Sequence, residues 1–259
     1  MRMPPLAQRP EILRMDAVEK SFAGGVVALK GMSLRVNEGD FVSLLGPSGC
    51  GKSTALRLIA GLAEPTSGRI EWNGDGGAGG IGVVFQEPTL MPWTTVARNV
   101  FLPFRLRGRS FASVRDEVFE ALRLVGLEGF PDAYPRELSG GMKMRVSIAR
   151  AMVTRPRLIL MDEPFAALDE IARFRLNDDL LEMKEKTGCT VIFVTHSVFE
   201  SVFLSERILV MTSRPGRIVR ELVVDEAYPR GAAFRTSPEC AAHARAASDA
   251  LRATMETAA

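Results

Sequence analysis

The sequence predicts an α/β fold on a mainly parallel sheet, and three observations carry that prediction. Apolar runs of strand length recur at residues 41–45, 81–85, 158–161 and 191–194. Such nearly continuous stretches of Val, Ile, Leu and Phe read as strands buried on both faces, as in a parallel sheet covered by helices. Between them the apolar residues fall at helical spacing, over 53–62, 113–125, 142–153 and 171–186. In the second of these, Val114, Val118, Leu122 and Val125 mark one face. Each strand-length run also ends at a polar or glycine residue, namely Gly46, Gln86, Asp162-Glu163 and Thr195-His196. The carboxyl ends of strands are where open α/β sheets bind their ligands.

Ahead of this alternation, segments 12–20, 26–29 and 32–36 are punctuated by Gly24-Gly25 and Gly31, which predicts short antiparallel strands. Residues 74–80 are rich in glycine and read as a flexible turn. Residues 88–137 hold two helical patterns and two loops rich in Pro and Gly, a helical insertion into the sheet. From about residue 226 the chain becomes rich in Ala and Arg, which suggests a loose terminal helix. The expected division is a domain over 1–225, with a helical subdomain at about 88–155 inserted, and a tail over 226–259.

Composition narrows the function. The 259 residues suffice for one large or two modest domains, and 46% hydrophobic with 25% charged residues is ordinary globular composition. Lys plus Arg number 33 against 31 for Asp plus Glu, too balanced for a nucleic-acid partner. Three scattered cysteines (Cys50, Cys189, Cys240) exclude a disulfide scaffold and a four-cysteine zinc site. No apolar run approaches the roughly 18–20 residues of a membrane-spanning helix. The N-terminus lacks a signal-peptide stretch. The expectation is a soluble cytoplasmic protein that meets a membrane through a partner.

The strongest local signal is Gly46-Pro47-Ser48-Gly49-Cys50-Gly51-Lys52-Ser53-Thr54, between a buried strand and a helix. Its glycines let the backbone wrap closely around phosphates, so that consecutive N–H groups and the helix N-terminus face the anion. Lys52 supplies a point charge for the β- and γ-phosphates, and the Ser53 hydroxyl suits Mg²⁺. At the end of run 158–161, Asp162 suits Mg²⁺ and Glu163 an attacking water. Gln86 is an uncharged donor and acceptor able to touch metal or water. His196 ends a further strand. A second anion site is expected where Ser139, as N-cap, and Gly140-Gly141 open a helix with unpaired N–H groups. Two phosphate-type helix termini in one chain suggest that two subunits share each nucleotide.

Taken together, residues 12–220 resemble the nucleotide-binding subunit of an ATP-binding cassette transporter, and the family's motifs occur in order. Gly46–Thr54 matches the Walker A loop, Gln86 the Q-loop, residues 138–142 the signature, and 158–163 Walker B. Residues 167–169 match the D-loop and His196 the switch histidine. The resemblance implies a P-loop NTPase core with an N-terminal antiparallel β subdomain and a helical subdomain. It implies that Phe22 stacks on adenine, that ATP and Mg²⁺ are the cofactors, and that His196 lies near the γ-phosphate. It further implies a head-to-tail dimer in which each ATP lies between one Walker A and the other subunit's signature.

The stretches at 86–93, 162–169, 203–207 and 213–218 are similar to importers of the nitrate, sulfonate and taurine type. That kinship implies an integral membrane permease as partner, indirect work with a periplasmic or extracellular solute-binding protein, and a place on the cytoplasmic face of the inner membrane. Met142 and Met144 depart from the Gln frequent at those positions. Two alternatives are a soluble relative working in DNA repair or translation, and a non-hydrolysing regulatory subunit. The first usually carries a second cassette, a long coiled coil or a zinc module. The second is expected to lack Glu163 or His196, and both are present.

Overall fold

The computed structural model describes residues 9–73, 80–228 and 230–256. The expected turn at 74–80 falls almost wholly outside them. Three antiparallel strands, β1 (Glu11–Ser21), β2 (Val27–Asn37) and β4 (Ser67–Trp72), form a small sheet in the order β2-β1-β4. Segments 26–29 and 32–36 are thus one strand and not two. Gly31 lies inside β2 at φ +61°, a left-handed conformation that glycine adopts without steric cost, and register shifts against β1 absorb the irregularity.

The second sheet has six strands in the order β5-β6-β7-β3-β8-β9. These are β3 (Phe41–Leu45), β5 (Ile81–Val84), β6 (Leu158–Asp162), β7 (Thr190–Thr195), β8 (Arg207–Met211) and β9 (Ile218–Val223). All pairs are parallel except β8 with β9. Alternate residues of the central strands feed two different cores. Ile159, Met161, Val191 and Phe193 face a cluster shared with the helical insertion. Leu158, Leu160, Ile192 and Val194 face a cluster shared with the small sheet and with α1 (Lys52–Ile59). Period-2 alternation between two apolar surroundings is why these strands read as unbroken apolar runs. Helix α1 ends earlier than its periodicity suggests, because Gly61 turns left-handed (φ +69°) and Leu62 N–H bonds back to Arg57 O at 2.9 Å.

The insertion comprises α2 (Val96–Leu106), α3 (Arg115–Leu124) and α4 (Gly140–Met152). Thr95 caps α2 and Ser139 caps α4. Buried Asn99 on α2 holds the preceding loop: its Oδ1 accepts from Met91 N–H at 2.8 Å, and its Nδ2 donates to Met91 O, Thr94 O and Thr95 O. Helices α5 (Glu170–Thr187) and α6 (Val198–Leu204) follow β6 and β7, and α7 (Ala232–Arg235) and α8 (Pro238–Glu256) close the chain.

Helix α8 is packed, not loose. Cys240, Ala244, Ala247 and Ala250 of α8 are buried with Leu45, Val202, Ile208, Val210 and Val224. Ahead of α8, the buried Arg230 donates to Val202 O, Phe203 O, Ser205 O and Val224 O at 2.7–3.2 Å. A cation at the carboxyl end of α6 satisfies carbonyls that no helical N–H reaches and complements the helix dipole. Burial lowers the pKa of this guanidinium. All three cysteines are free and buried.

Candidate functional site

The parallel sheet brings the carboxyl ends of β3, β6 and β7 to one edge of the molecule, and with them Lys52, Ser53, Asp162, Glu163 and His196. Lys52 is 4% exposed, and its Nζ donates to Gly46 O at 2.8 Å and Pro47 O at 3.0 Å. It also lies 3.4 Å from Glu163 Oε1. Ser53 Oγ donates to Asp162 Oδ1 at 2.9 Å across the intervening strand β7. Burial pushes the Asp162 carboxyl up, while the Ser53 bond pulls it down more weakly. Glu163 Oε2 lies 3.0 Å from His196 Nδ1. One carboxylate thus bridges the phosphate-loop lysine and the strand-end histidine.

The backbone explains why Glu163 stands there. Its φ is +45°, and its N–H bonds to Val194 O at 3.0 Å, so the chain leaves the sheet in a left-handed turn just where the side chain is needed. Non-glycine residues rarely hold such a conformation, and where they do it tends to be at functional positions. Phe165, buried beside Phe193 with ring centroids 5.6 Å apart, pins the following turn to the sheet. Asp169 then caps α5 by accepting from Ala172 N–H at 2.9 Å.

A cavity of about 380 Å³ opens over the phosphate loop, lined among others by Phe22, Ser48, Gly49, Lys52, Gln86 and Glu163. Gly51, Ser53 and Thr54 also border it, as do Val26 and Ala28 beside Phe22. Phe22 is 45% exposed, and Lys20 Nζ sits 5.5 Å from its ring centre. Gly46, Pro47 and Cys50 form the back of the loop. The Cys50 side chain is buried, and that burial raises its thiol pKa. Gly51 has φ +104°, and a Cβ there would sit 2.7 Å from Ala28 O, which explains the glycine. Ser139, Gly140 and Gly141 lie apart from the cavity, beside Leu168, Ala172 and Leu176. Their own chain's phosphate loop does not meet them.

Sequence reasoning left two supports unnoticed. Arg150 on α4 donates to Thr89 O at 2.9 Å and Pro88 O at 2.8 Å, tying the segment after Gln86 to the helix that Ser139 caps. The buried Glu200 accepts from Thr195 Oγ1, and its Oε1 lies 3.5 Å from Arg173 Nε. Burial raises the Glu200 pKa. Spacing along the chain shows neither, because each contact joins separate elements.

A parallel sheet with a glycine-rich phosphate loop, a neighbouring strand-end Asp-Glu pair and a further strand-end histidine defines a P-loop nucleotide hydrolase. The sequence profile of the ABC transporter family matches residues 29–166. An uncharacterised ABC transporter ATP-binding protein of Methanocaldococcus jannaschii is 46% identical over 88% of this chain and 86% of its own length. The nitrate import ATP-binding protein NrtD of Synechocystis is 44% identical, over 88% and 89% respectively. An aliphatic sulfonates import ATP-binding protein SsuB of Pseudomonas syringae is 46% identical, over 85% and 90%. Among solved structures, a dimeric ATP-binding cassette in a post-hydrolysis state with ADP and Pi superposes with a TM-score of 0.71 at 34% identity, over 83% of this chain and all of that one. The chain belongs to the ABC transporter family as an ATP-binding subunit, and its enzymatic activity is ATP hydrolysis.

Proposed function

We propose that this subunit powers uptake of a small oxyanion-bearing solute, nitrate or a sulfonate such as taurine, through a separate integral membrane permease. The observation that carries the ATPase half is the bridge Lys52–Glu163–His196 above the phosphate loop. The solute class rests on likeness to subunits named for nitrate and aliphatic sulfonate import. That role would put it on the cytoplasmic face of the inner membrane, held there by the permease; no described helix is long and apolar enough to cross a bilayer. A periplasmic or extracellular solute-binding protein would deliver cargo to the permease. Neither alternative is favoured, because the relatives named for a task are import subunits and both Glu163 and His196 stand together in the site.

In this reading Phe22 stacks on adenine, and the loop from Gly46 to Thr54 holds the phosphates, with the charge of Lys52 toward the terminal ones. Glu163 orients the attacking water and takes its proton, and His196 holds that carboxylate from the other side. Ser53, Asp162 and Gln86 offer hard, oxygen-rich donors that fit Mg²⁺, which would neutralise charge on the β- and γ-phosphates when bound. Ser139, Gly140 and Gly141 serve the partner subunit's nucleotide in a homodimer formed on ATP binding. Replacing Glu163 tests the assignment. Glu163→Gln keeps ATP affinity, slows hydrolysis by about 10²–10⁴-fold and accumulates an ATP-bound dimer. Wild-type turnover in that variant, read as phosphate release, would sink the reading.

A further inference from the structure

We infer that the turn over residues 212–217, between β8 and β9, belongs to the nucleotide site, and that Arg214 is a positioning residue for the phosphate loop. The inference rests on the ATP reading above. The Nε and Nη2 of Arg214 fork onto a single acceptor, Gly49 O, at 3.3 and 3.2 Å. The same side chain borders the cavity over the phosphate loop. Two residues on, Gly216 packs against the next carbonyl of that loop. A Cβ on Gly216 would lie 2.0 Å from Cys50 O, and its backbone is fastened to β2 through Ala28 O at 2.9 Å and Lys30 N–H at 3.1 Å. The turn itself is rigid: Thr212 Oγ1 donates to Pro215 O at 2.9 Å and accepts from Arg217 N–H at 3.1 Å.

Two successive carbonyls of the loop are therefore met from outside, Gly49 by a cation and Cys50 by a close-packed glycine. In a trans peptide the C=O and the following N–H point in opposite directions. Fixing the Gly49 carbonyl outward fixes the Cys50 N–H inward, where it makes a long bond of 3.4 Å to Pro47 O. A guanidinium on the carbonyl also polarises that peptide group and strengthens its N–H as a donor. The effect is felt by ligands that carry phosphates, and not by adenosine alone.

The test titrates the full chain with ATP and with adenosine, for wild type, Arg214→Ala and Arg214→Lys, and measures hydrolysis alongside. Arg214 is exposed, so both variants are expected to fold. Arg214→Ala weakens ATP binding about tenfold, the scale of one charged hydrogen bond, and raises KM by the same factor while kcat holds. Adenosine binding stays within about twofold. Arg214→Lys keeps the charge but not the fork, and recovers less than half of the loss. Unchanged ATP affinity in Arg214→Ala overturns the inference, as does equal loss of ATP and adenosine. Full recovery by Lys overturns the fork on Gly49. Failure of the wild type to bind ATP would instead overturn the functional reading itself.

Discussion

Glu163 holds a backbone conformation that costs an L-residue about 1–2 kcal/mol, and it holds it one residue after the strand that delivers Asp162. Comparing two truncations separates the backbone from the side chain. Glu163→Ala and Glu163→Gly both lose the contacts to Lys52 and His196, yet only glycine relieves the left-handed strain. The glycine variant should be the more stable by about 1 kcal/mol, with hydrolysis abolished in both. Chemical denaturation of the pair checks this, and equal midpoints would remove strain from the account. At this scale the phosphate loop was legible because its chemistry is contiguous. Arg150 and Glu200 were not, since their partners lie on other elements and an isolated Arg or Glu gives no signal in sequence, and Arg214 was read only as part of the importer-like stretch 213–218, without its partner Gly49.

Among the elements, the loop after Gln86 and helix α8 make contrasting predictions. Trp93 is 74% exposed on a loop whose neighbours are locked by Asn99. With Met91, Arg98, Phe101 and Tyr134 it borders a surface cavity of about 530 Å³. A large exposed aromatic on a rigid loop is a binding surface more than a packing residue. Trp93→Ala should cost about 2 kcal/mol or more of permease affinity and leave ATP affinity of the free subunit unchanged. A pull-down with the permease and a nucleotide titration together decide it, since retained permease binding would end the assignment. Helix α8 should matter for the opposite reason. A chain ending at Ser237 leaves Val202, Ile208, Val210 and Val224 without the cover of α8, so its melting temperature should fall by several degrees; an unchanged one would make the packing incidental.

The difference between these elements shows what patterning reveals. The central strands declared themselves because Val, Ile, Leu and Phe on both faces leave no polar alternation to misread. Helix α8 hid its buried face because Ala and Cys carry little hydrophobic signal. The stripe Cys240, Ala244, Ala247, Ala250 has the three- and four-residue spacing of a packed helix face, and it was the available clue. The continuity of β2 through Gly31 was hidden for another reason: a glycine reads as a break unless the bulge that absorbs it is seen against its partner strand.

At the scale of the whole molecule, the residues expected at the phosphates fall in two places. Ser48, Gly49, Gly51 to Thr54, Gln86 and Glu163 line one cavity, with Asp162 joined to it through Ser53 and His196 through Glu163, while Gly140 and Gly141 stand beside Leu168, Ala172 and Leu176, away from that cavity. In the proposed head-to-tail pair the second set serves the partner's ATP. Ser139→Arg should then prevent ATP-driven dimerisation and hydrolysis while each chain still binds nucleotide. Sizing chromatography of the Glu163→Gln background with and without Ser139→Arg gives the readout, and a dimer surviving the arginine would refute the arrangement.

Helix α4 begins at Gly140-Gly141 and, about 15 Å further along its axis, holds Pro88 and Thr89 through Arg150. A helix of this length behaves as a stiff bar, so its two ends cannot move independently. In the proposed dimer, a push on the capped end by the partner's γ-phosphate becomes a displacement of the loop carrying Gln86 and Trp93 in the same chain. Each subunit's grip on the membrane partner then reports the nucleotide in the other subunit's pocket, which makes the pair of cassettes a lever with its two handles in different hands.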